Sequence, residues 1–510
     1  MPLPLFADRI CAVVAAPTAA GMLRQLACAL RHTRTVELRL DWLRSRRQIL
    51  LLLAALARRR LRATCIATCR RRVAGGRFVG SPTAQLELLR RAVAAGCHWC
   101  DVEIETAARL GAADLRRRLA PARCLISFHD FAGTPRRLAA LSARLERGGG
   151  SAVKLATRCD GLRDGLRLLA LAHRHRRVVA VPMGERALPL RVLALRAGSA
   201  LAYAAAGEPT APGQLTLEEM RYLYRADQLD RRTRVYGLIG DPVAHSLSPL
   251  LHNTGFRVRR INAVYLPFLV PAAAGSAGLR DFLAAVPVLG IRGFSVTIPH
   301  KERILEYLDG CDPLAEQIGA VNTVVVRGTG QLYGYNTDYV GVLRALHSRS
   351  VDLASCRVLI CGAGGAARAV AFALAQAGAQ VAICARRPAP ARRLARAVGG
   401  EIIPRMRLAR EFFDAIVNAT PVGMHPHVHE SPLALRELNC RIVFDLIYRP
   451  MQTKLLALAA RRGIETISGA EMFVAQGVAQ WEIWMGERAP ERQMRAAVLA
   501  ALRNERNLRR

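Results

Sequence analysis

At 510 residues and 52% apolar, the chain is long enough for two or more domains with real cores. Its net charge of +36 would ordinarily point to nucleic acid or an anionic membrane surface. The arginines, however, run the whole length, few aromatics interleave them, and no zinc-finger, RNA-recognition or homeodomain pattern occurs. Neither nucleic acid nor membrane is therefore expected as a partner, and the charge reads as a basic surface that attracts anionic metabolites.

Thirteen scattered cysteines, an odd number, suit reduced thiols in a cytoplasmic protein. Cys97 and Cys100 form a lone CxxC with no second pair at zinc-site spacing, so no metal is expected. His425, His427 and His429 alternate in a proline-containing stretch and read as a solvated loop. The start lacks the basic region and long apolar core of a signal peptide. The longest purely apolar run, residues 49–57, is too short to span a bilayer.

Eight short apolar runs predict strands in the first half: residues 10–15, 36–40, 63–68, 99–103, 124–128, 152–155, 178–182 and 200–203. Helical patterns such as 83–95 lie between them. Eightfold strand–helix alternation within about 200 residues predicts a (β/α)8 TIM barrel. Polar residues fall where barrel enzymes build their sites. Glu37 and Arg39 lie on the second strand, Arg70 follows the third, His129 follows the fifth, Lys154 is on the sixth, and Arg191 follows the seventh.

Lys154 is the most informative of these. The chain has only three lysines, Lys154, Lys301 and Lys454, against 72 arginines. Arginine is always protonated and cannot serve as an amine nucleophile or release a proton, whereas lysine can do both. A lysine inside an apolar parallel strand must point at a pocket or be neutralised, because an unpaired buried charge is costly.

Glu37-Leu-Arg39-Leu-Asp41, Thr68-Cys-Arg70, Ser127-Phe-His129-Asp130, Ala152-Val-Lys154 and Ala211-Pro-Gly-Gln214 occur in order across residues 10–225. Together they resemble the motifs of type I 3-dehydroquinate dehydratase. The resemblance implies a Schiff base: Lys154 attacks the ketone of 3-dehydroquinate, and His129 moves the proton that leads to 3-dehydroshikimate and water. It further implies that Arg191 clamps the substrate carboxylate, while Glu37, Arg39, Arg70, Thr210 and Gln214 hold the ring. Two positions depart from the family. Ala74 stands where an acidic residue near the histidine is usual, and Thr210 replaces a serine but keeps the hydroxyl.

Residues 215–229 look helical, and 230–234 form a short polar linker. A second domain opens at Val235, with Ser246 and Ser248 just beyond its first strand. Paired serines beside a helix start can offer hydroxyls and amides to a carboxylate. Lys301 follows a strand that ends at Pro299, and Asn322 and Asp338 come from further strand ends. An ammonium and a carboxylate so delivered could form a proton-transfer pair. The run Gly362-Ala363-Gly364-Gly365-Ala366 lies between an apolar strand and an alanine-rich helix, as a pyrophosphate site requires. The next strand, 379–384, is followed by Arg386 and Arg387 in place of the acid an NAD site needs, which favours NADP. Strands are also predicted at 415–418 and 442–446, and a helical tail from Gly469.

Residues 233 to about 500 resemble shikimate dehydrogenase. The resemblance implies a shikimate shell of Ser246, Ser248, Thr297, Asn322, Asp338, Tyr448 and Gln476, with Lys301 and Asp338 as the catalytic pair. Leu446 and Gly469 would join the glycine turn and the two arginines around the cofactor. The expected fold class is α/β: an N-terminal TIM barrel (1–229), a substrate-binding lobe (233–345), a Rossmann NADP-binding lobe (350–468), and C-terminal helices packing back on the substrate lobe (469–510). The expected function is bifunctional, with the small anions 3-dehydroquinate, 3-dehydroshikimate and shikimate as ligands. A quinate/shikimate oxidoreductase with an impaired barrel is the alternative that Ala74 suggests.

Overall fold

The computed structural model describes residues 5–59, 61–211, 213–347, 349 and 352–508. Pro212, within the predicted 211–214 motif, and the first four residues lie outside the described residues. So does residue 350, a predicted domain boundary. The chain divides into two compact units. One runs to Arg234 and also takes in Leu266–Leu269 and Arg280–Leu289; the other holds the rest. Among the described residues, no helix is long and apolar enough to cross a membrane.

The first unit is built on strands β1 (Ile10–Val14), β2 (Thr35–Arg39), β3 (Thr64–Thr68) and β4 (Trp99–Glu103), followed by β5 (Arg123–Asp130), β6 (Ala152–Arg158), β7 (Val178–Met183) and β8 (Ala202–Ala205). They form one parallel sheet in the order β7-β6-β5-β4-β3-β2-β1-β8. The Ala200 amide donates to the Val178 carbonyl beside the start of β7, which nearly closes the barrel.

Alternation along each strand separates the inner from the outer face. Cys11, Val13, Ile66, Trp99, Leu125, Ala152, Val179 and Tyr203 share one apolar cluster. Two residues on, the same faces turn polar: Trp99 gives way to Asp101 and Glu103, Leu125 to Ser127 and His129, Ala152 to Lys154. An apolar plug thus fills the amino ends of the strands and a polar cup lies above it.

Two expectations are corrected. His129 lies inside β5, which runs two residues past the predicted end at 128, rather than after it. Residues 215–229 are not one helix. A π-helical turn, Glu219–Leu223, is followed by a 3-10 turn, Ala226–Gln228, and Arg225 between them takes φ +50°, which no continuing helix allows.

Two further sheets follow in the chain. The first comprises β9 (Arg234–Gly240), β10 (Ala263–Leu269), β11 (Ile291–Val296), β12 (Gly310–Cys311), β13 (Thr323–Val326) and β14 (Leu332–Tyr335), in the order β10-β9-β11-β13-β14-β12. It is mixed: β9 and β11 are parallel, whereas β11, β13 and β14 alternate in direction. The second comprises β15 (Arg357–Cys361), β16 (Gln380–Cys384), β17 (Glu401–Ile402), β18 (Phe413–Asn418), β19 (Cys440–Asp445) and β20 (Glu465–Ser468). All its strands are parallel, in the order β17-β16-β15-β18-β19-β20. This is the doubly wound Rossmann order, and it places a ligand crevice at the carboxyl ends of β15 and β18.

Helix Gly469–Met485 then packs against helices Ser248–Arg259 and Asp338–His347, and Glu491–Leu508 packs on Ser248–Arg259. Glycines permit the close approach. A Cβ on Gly477 would lie 2.1 Å from Leu251 Cδ2, and one on Gly255 would lie 2.6 Å from the Trp481 ring.

Candidate active sites

The polar cup of the barrel is a dense ion network. Lys154 Nζ lies 3.0 Å from Asp101 Oδ2 and 3.3 Å from Glu37 Oε1, and 4.1 Å over the Tyr203 ring. Arg70 donates to Asp101 (2.7 Å) and to Ser127 Oγ (2.8 Å). Ser127 donates in turn to Asp101 at 2.5 Å, and Thr68 Oγ1 to Glu37 at 2.8 Å. Glu103 accepts from the backbone amide and guanidinium of Arg71. All these carboxylates are buried, so each charge is held only because it is paired and hydrogen-bonded. Burial alone would raise the Asp101 carboxyl, but Arg70 and Lys154 outweigh it and hold the group well below the usual carboxylate range.

His129 follows Ser127 by two residues on the same face of β5, and Ser127 is the residue in register with Lys154. Burial, reinforced by the cations of Arg70 and Lys154, holds its imidazole well below the ordinary histidine value. It is therefore neutral and able to accept a proton. Its Nδ1 is buried without a hydrogen-bond partner among the described residues. Arg39 makes a two-point pair with Asp41 (2.9 and 2.8 Å). Arg191 is buried on helix Leu188–Ala197, and burial brings its guanidinium down to about 10. Thr210 donates to Gln214 Oε1 from both amide (2.7 Å) and hydroxyl (3.0 Å), so these two residues form a separate pair.

In the second unit, Lys301 Nζ donates to Asp338 Oδ2 at 2.6 Å, and Asn322 Nδ2 donates to Asp338 Oδ1 at 2.7 Å. Ser246 Oγ lies 3.1 Å from Ser248 Oγ at the start of helix Ser248–Arg259. Thr297 lies just past β11, its amide bonded to the Ile239 carbonyl at 2.9 Å. Tyr448 stacks on Phe473 with ring centroids 4.5 Å apart. Gln476 donates to the Phe473 carbonyl of its own helix at 2.8 Å.

The expected cofactor residues follow the carboxyl ends of β15, β16, β19 and β20. Gly362, at φ +117°, makes the turn after β15, followed by Ala363, and Gly364 caps the helix that starts at Gly365 and Ala366. A Cβ on Gly364 would meet nothing within 4 Å, and one on Gly365 would face the Lys301 side chain at 3.8 Å. The turn is therefore open on one side and borders the Lys301 side chain, paired with Asp338, on the other. Arg386 and Arg387 follow β16, exposed, and among the described residues neither makes an ion pair. Gly469 and Leu446 touch: a Cβ on Gly469 would come 2.3 Å from the Leu446 carbonyl oxygen, so only glycine fits. Open amides at a helix start and two unpaired guanidiniums are a donor set suited to a pyrophosphate and a further phosphate.

A sequence model described as type I 3-dehydroquinase matches residues 10–231. Those described as shikimate dehydrogenase substrate binding domain and shikimate 5'-dehydrogenase C-terminal domain match 238–324 and 469–499. The bifunctional 3-dehydroquinate dehydratase/shikimate dehydrogenase, chloroplastic, of Arabidopsis thaliana is 35% identical over 479 residues, which is 89% of this chain and 78% of that protein. The chain belongs to the bifunctional 3-dehydroquinate dehydratase/shikimate dehydrogenase family. The shikimate dehydrogenase (NADP(+)) of Moorella thermoacetica is 45% identical over 275 residues, 52% of this chain and 92% of its own. A crystal structure of the Thermus thermophilus shikimate 5-dehydrogenase with NADP(H) and shikimate shares 35% identity, covers 52% of this chain and 99% of its own, and has a TM-score of 0.48.

Sequence reasoning missed several residues that the dehydratase barrel brings to Lys154. Asp101, Glu103 and Tyr203 all touch the network, yet only the strands that carry them were predicted, and Ser127 was noted as a motif residue without a role. The signal was present in β4, where two carboxylates stand two apart in an otherwise apolar strand and so share its inner face. In the dehydrogenase half, Gln480, Tyr265 and His252 were also missed.

Proposed function

We propose that this chain dehydrates 3-dehydroquinate in its barrel and reduces the resulting 3-dehydroshikimate to shikimate with NADPH in its second unit. One observation carries the reading: the two lysines found in family motifs each lie on a carboxylate within a built polar site, Lys154 on Asp101 and Lys301 on Asp338. The domain boundaries at 229, 233, 345, 350 and 468 belong to the same proposal. So does a cytoplasmic location, with reduced thiols supported by thirteen free cysteines.

In the barrel, Lys154 is paired with Asp101 and Glu37, and its amine attacks as the free base. Its nitrogen then bonds to the ketone carbon of 3-dehydroquinate, and the carbonyl oxygen leaves as water. The iminium draws electrons from the neighbouring carbon, whose proton passes to neutral His129. That proton returns to the departing hydroxyl, a second water leaves, and hydrolysis of the imine frees Lys154. Arg191 holds the substrate carboxylate as a planar fork, and Arg39, Arg70, Glu37, Thr210 and Gln214 orient the ring.

In the second unit, bound NADPH supplies the hydride for the ketone carbon. Lys301 delivers the proton to the ketone oxygen, and Asp338 holds the ammonium in place. Ser246, Ser248, Thr297, Asn322, Tyr448 and Gln476 bind the substrate. Gly362, Ala363, Gly364, Gly365 and Ala366 cradle the pyrophosphate, Arg386 and Arg387 hold the 2′-phosphate, and Leu446 and Gly469 line the nicotinamide end.

A coupled assay tests the reading: 3-dehydroquinate and NADPH are mixed with the full chain and followed at the nicotinamide absorbance. Lys154→Arg should stop oxidation from 3-dehydroquinate and spare it from 3-dehydroshikimate, whereas Lys301→Arg should cripple both. Full turnover of 3-dehydroquinate by Lys154→Arg would overturn the Schiff-base reading.

A further inference from the structure

Gln480, buried on helix Gly469–Met485, is the node of a hydrogen-bonded chain that ends on the proton-transfer pair. Its Oε1 accepts from Ser295 Oγ at 2.9 Å and faces His252 Nε2 at 3.2 Å. Its Nε2 donates to Thr323 Oγ1 at 3.0 Å and to the Asn322 carbonyl at 3.3 Å. Thr323 Oγ1 donates in turn to Asn322 Oδ1 at 2.7 Å, and Asn322 Nδ2 donates to Asp338 Oδ1 at 2.7 Å. Asp338 Oδ2 is thereby left for Lys301. In the other direction, the Tyr265 hydroxyl donates to Ser295 Oγ at 2.7 Å.

The directions follow from the partners. A flipped Gln480 amide would set Oε1 against the Asn322 carbonyl, acceptor against acceptor. A flipped Asn322 would turn its oxygen toward the Asp338 carboxylate and lose the bond from the Thr337 amide (2.8 Å). Only one arrangement of the two amides sets no acceptor against an acceptor, and in it each donor from Gln480 onward points toward Asp338. His252 is held as the Nε2–H tautomer, stacked on Tyr265 with ring centroids 4.5 Å apart. Burial pushes its imidazole down to about 3, so it contributes a donor and no charge.

We propose that Gln480 is a positioning residue for the dehydrogenase reaction. Through Thr323 and Asn322 it fixes which oxygen of Asp338 meets Lys301, and Ser295 and Tyr265 hold its acceptor end in place. This rests on the proton-transfer reading of Lys301 and Asp338. Every member of the chain from Ser295 to Asp338 is buried, so a reversed bond at Gln480 cannot be repaired by solvent and must propagate to Asp338.

The test is the isosteric Gln480→Glu variant of the full chain, with shikimate oxidation by NADP+ followed from pH 6 to pH 9. A protonated glutamic acid has a single O–H, enough to serve Thr323 though not also the Asn322 carbonyl, and keeps an acceptor for Ser295, so the direction of the chain is preserved; the carboxylate has no donor for Thr323. The titratable groups facing position 480 are His252, on helix Ser248–Arg259, and Tyr265, on β10, and both are buried. The kcat of the variant relative to the parent should fall at least tenfold as pH rises across this range and recover when pH is lowered again. KM for NADP+ should stay within threefold. Gln480→Leu should lose kcat at every pH.

A purely structural role would lower kcat by a constant factor across the range, and that result overturns the proposal. So does a kcat within twofold of the parent in both variants throughout. Asp338→Asn, assayed alongside, separates the two readings. If it keeps parental kcat, the proton-transfer assignment fails; if it is inactive while Gln480→Glu has the parental pH profile, only the positioning role fails.

Discussion

Lys154 and Lys301 both rest on carboxylates, but their surroundings differ. In the barrel, two carboxylates and the face of Tyr203 surround an ammonium whose side chain is 6% exposed, with the Arg70 guanidinium on the same Asp101. In the second unit, one oxygen of Asp338 holds an ammonium that is 18% exposed, and the other oxygen is taken by Asn322. A nucleophile that becomes covalently bound must be desolvated and held in one place, and the barrel's enclosed network does that. A proton donor must exchange its proton on every turnover, and a half-open site with a single partner suits it. In the proposed mechanism the same side chain is thus put to two chemistries by the number of its partners and its access to water.

The largest effect should come from Lys154→Arg, which keeps the charge on Asp101 and Glu37 but removes the nucleophile. Dehydration should fall roughly 10⁴-fold or more, and borohydride should no longer trap a substrate adduct on the protein, as read by intact mass. Retained trapping would place the imine on another residue. Lys154→Met is a poorer probe, since it strips the buried Glu37 of its Lys154 ion pair and leaves Asp101 to Arg70, which should cost about 3–5 kcal/mol of stability.

Next in size, Asp338→Asn should lower kcat for shikimate oxidation by roughly 10²–10⁴-fold and leave dehydration unchanged in the same preparation. Equal loss of both activities would mean the two sites are not independent.

A smaller effect is expected at the cofactor end. Replacing Arg386 and Arg387 with alanine should raise KM for NADP+ about 10–100-fold, the loss of one to two charge-assisted hydrogen bonds, with little change in KM for NAD+. Parallel changes for both cofactors would remove the 2′-phosphate role.

The smallest concerns His129. Because burial and two cations depress its value, dehydration should hold its rate as pH falls through about 6.5, the ordinary histidine value, and decline only at lower pH. The same shift works against the fold in acid. The unfolded chain takes up the proton first, so stability is lost as pH falls below the unfolded value, down to the depressed folded one. Ala74→Glu introduces an acid at the position where the family resemblance expects one, near a ring whose Nδ1 has no partner. It should move the acid limb of the kcat profile upward by about one unit with less than a tenfold change in rate. An unmoved limb would show that the new carboxylate does not reach the ring.

The two halves also differ in how much could be read from residue order. The eight barrel strands, the glycine turn and the two lysines were visible because each is local: alternation, strand length and motif spacing act over a few residues. The partners of Lys154 were not. Asp101 lies 53 positions from it and Glu37 117, so their meeting depends on which strands become neighbours and which face turns inward. Gln480 was hidden for a similar reason, lying 157 residues from Thr323 on a helix whose apolar neighbours mark it only as core. The 215–229 stretch was misread because its apolar spacing suits a helix, while the left-handed Arg225 that breaks it leaves no mark in composition.

The sequence by itself determined the chemistry this protein can perform: amines at two positions, a histidine near one and a glycine turn near the other, in an order matching two known enzyme families. Tertiary structure alone decided which carboxylates hold Lys154, how deeply each amine is buried, and which way the bonds around Asp338 run. Those features arise from packing between strands and helices far apart in the chain, where burial turns a modest pairing into one that must be satisfied.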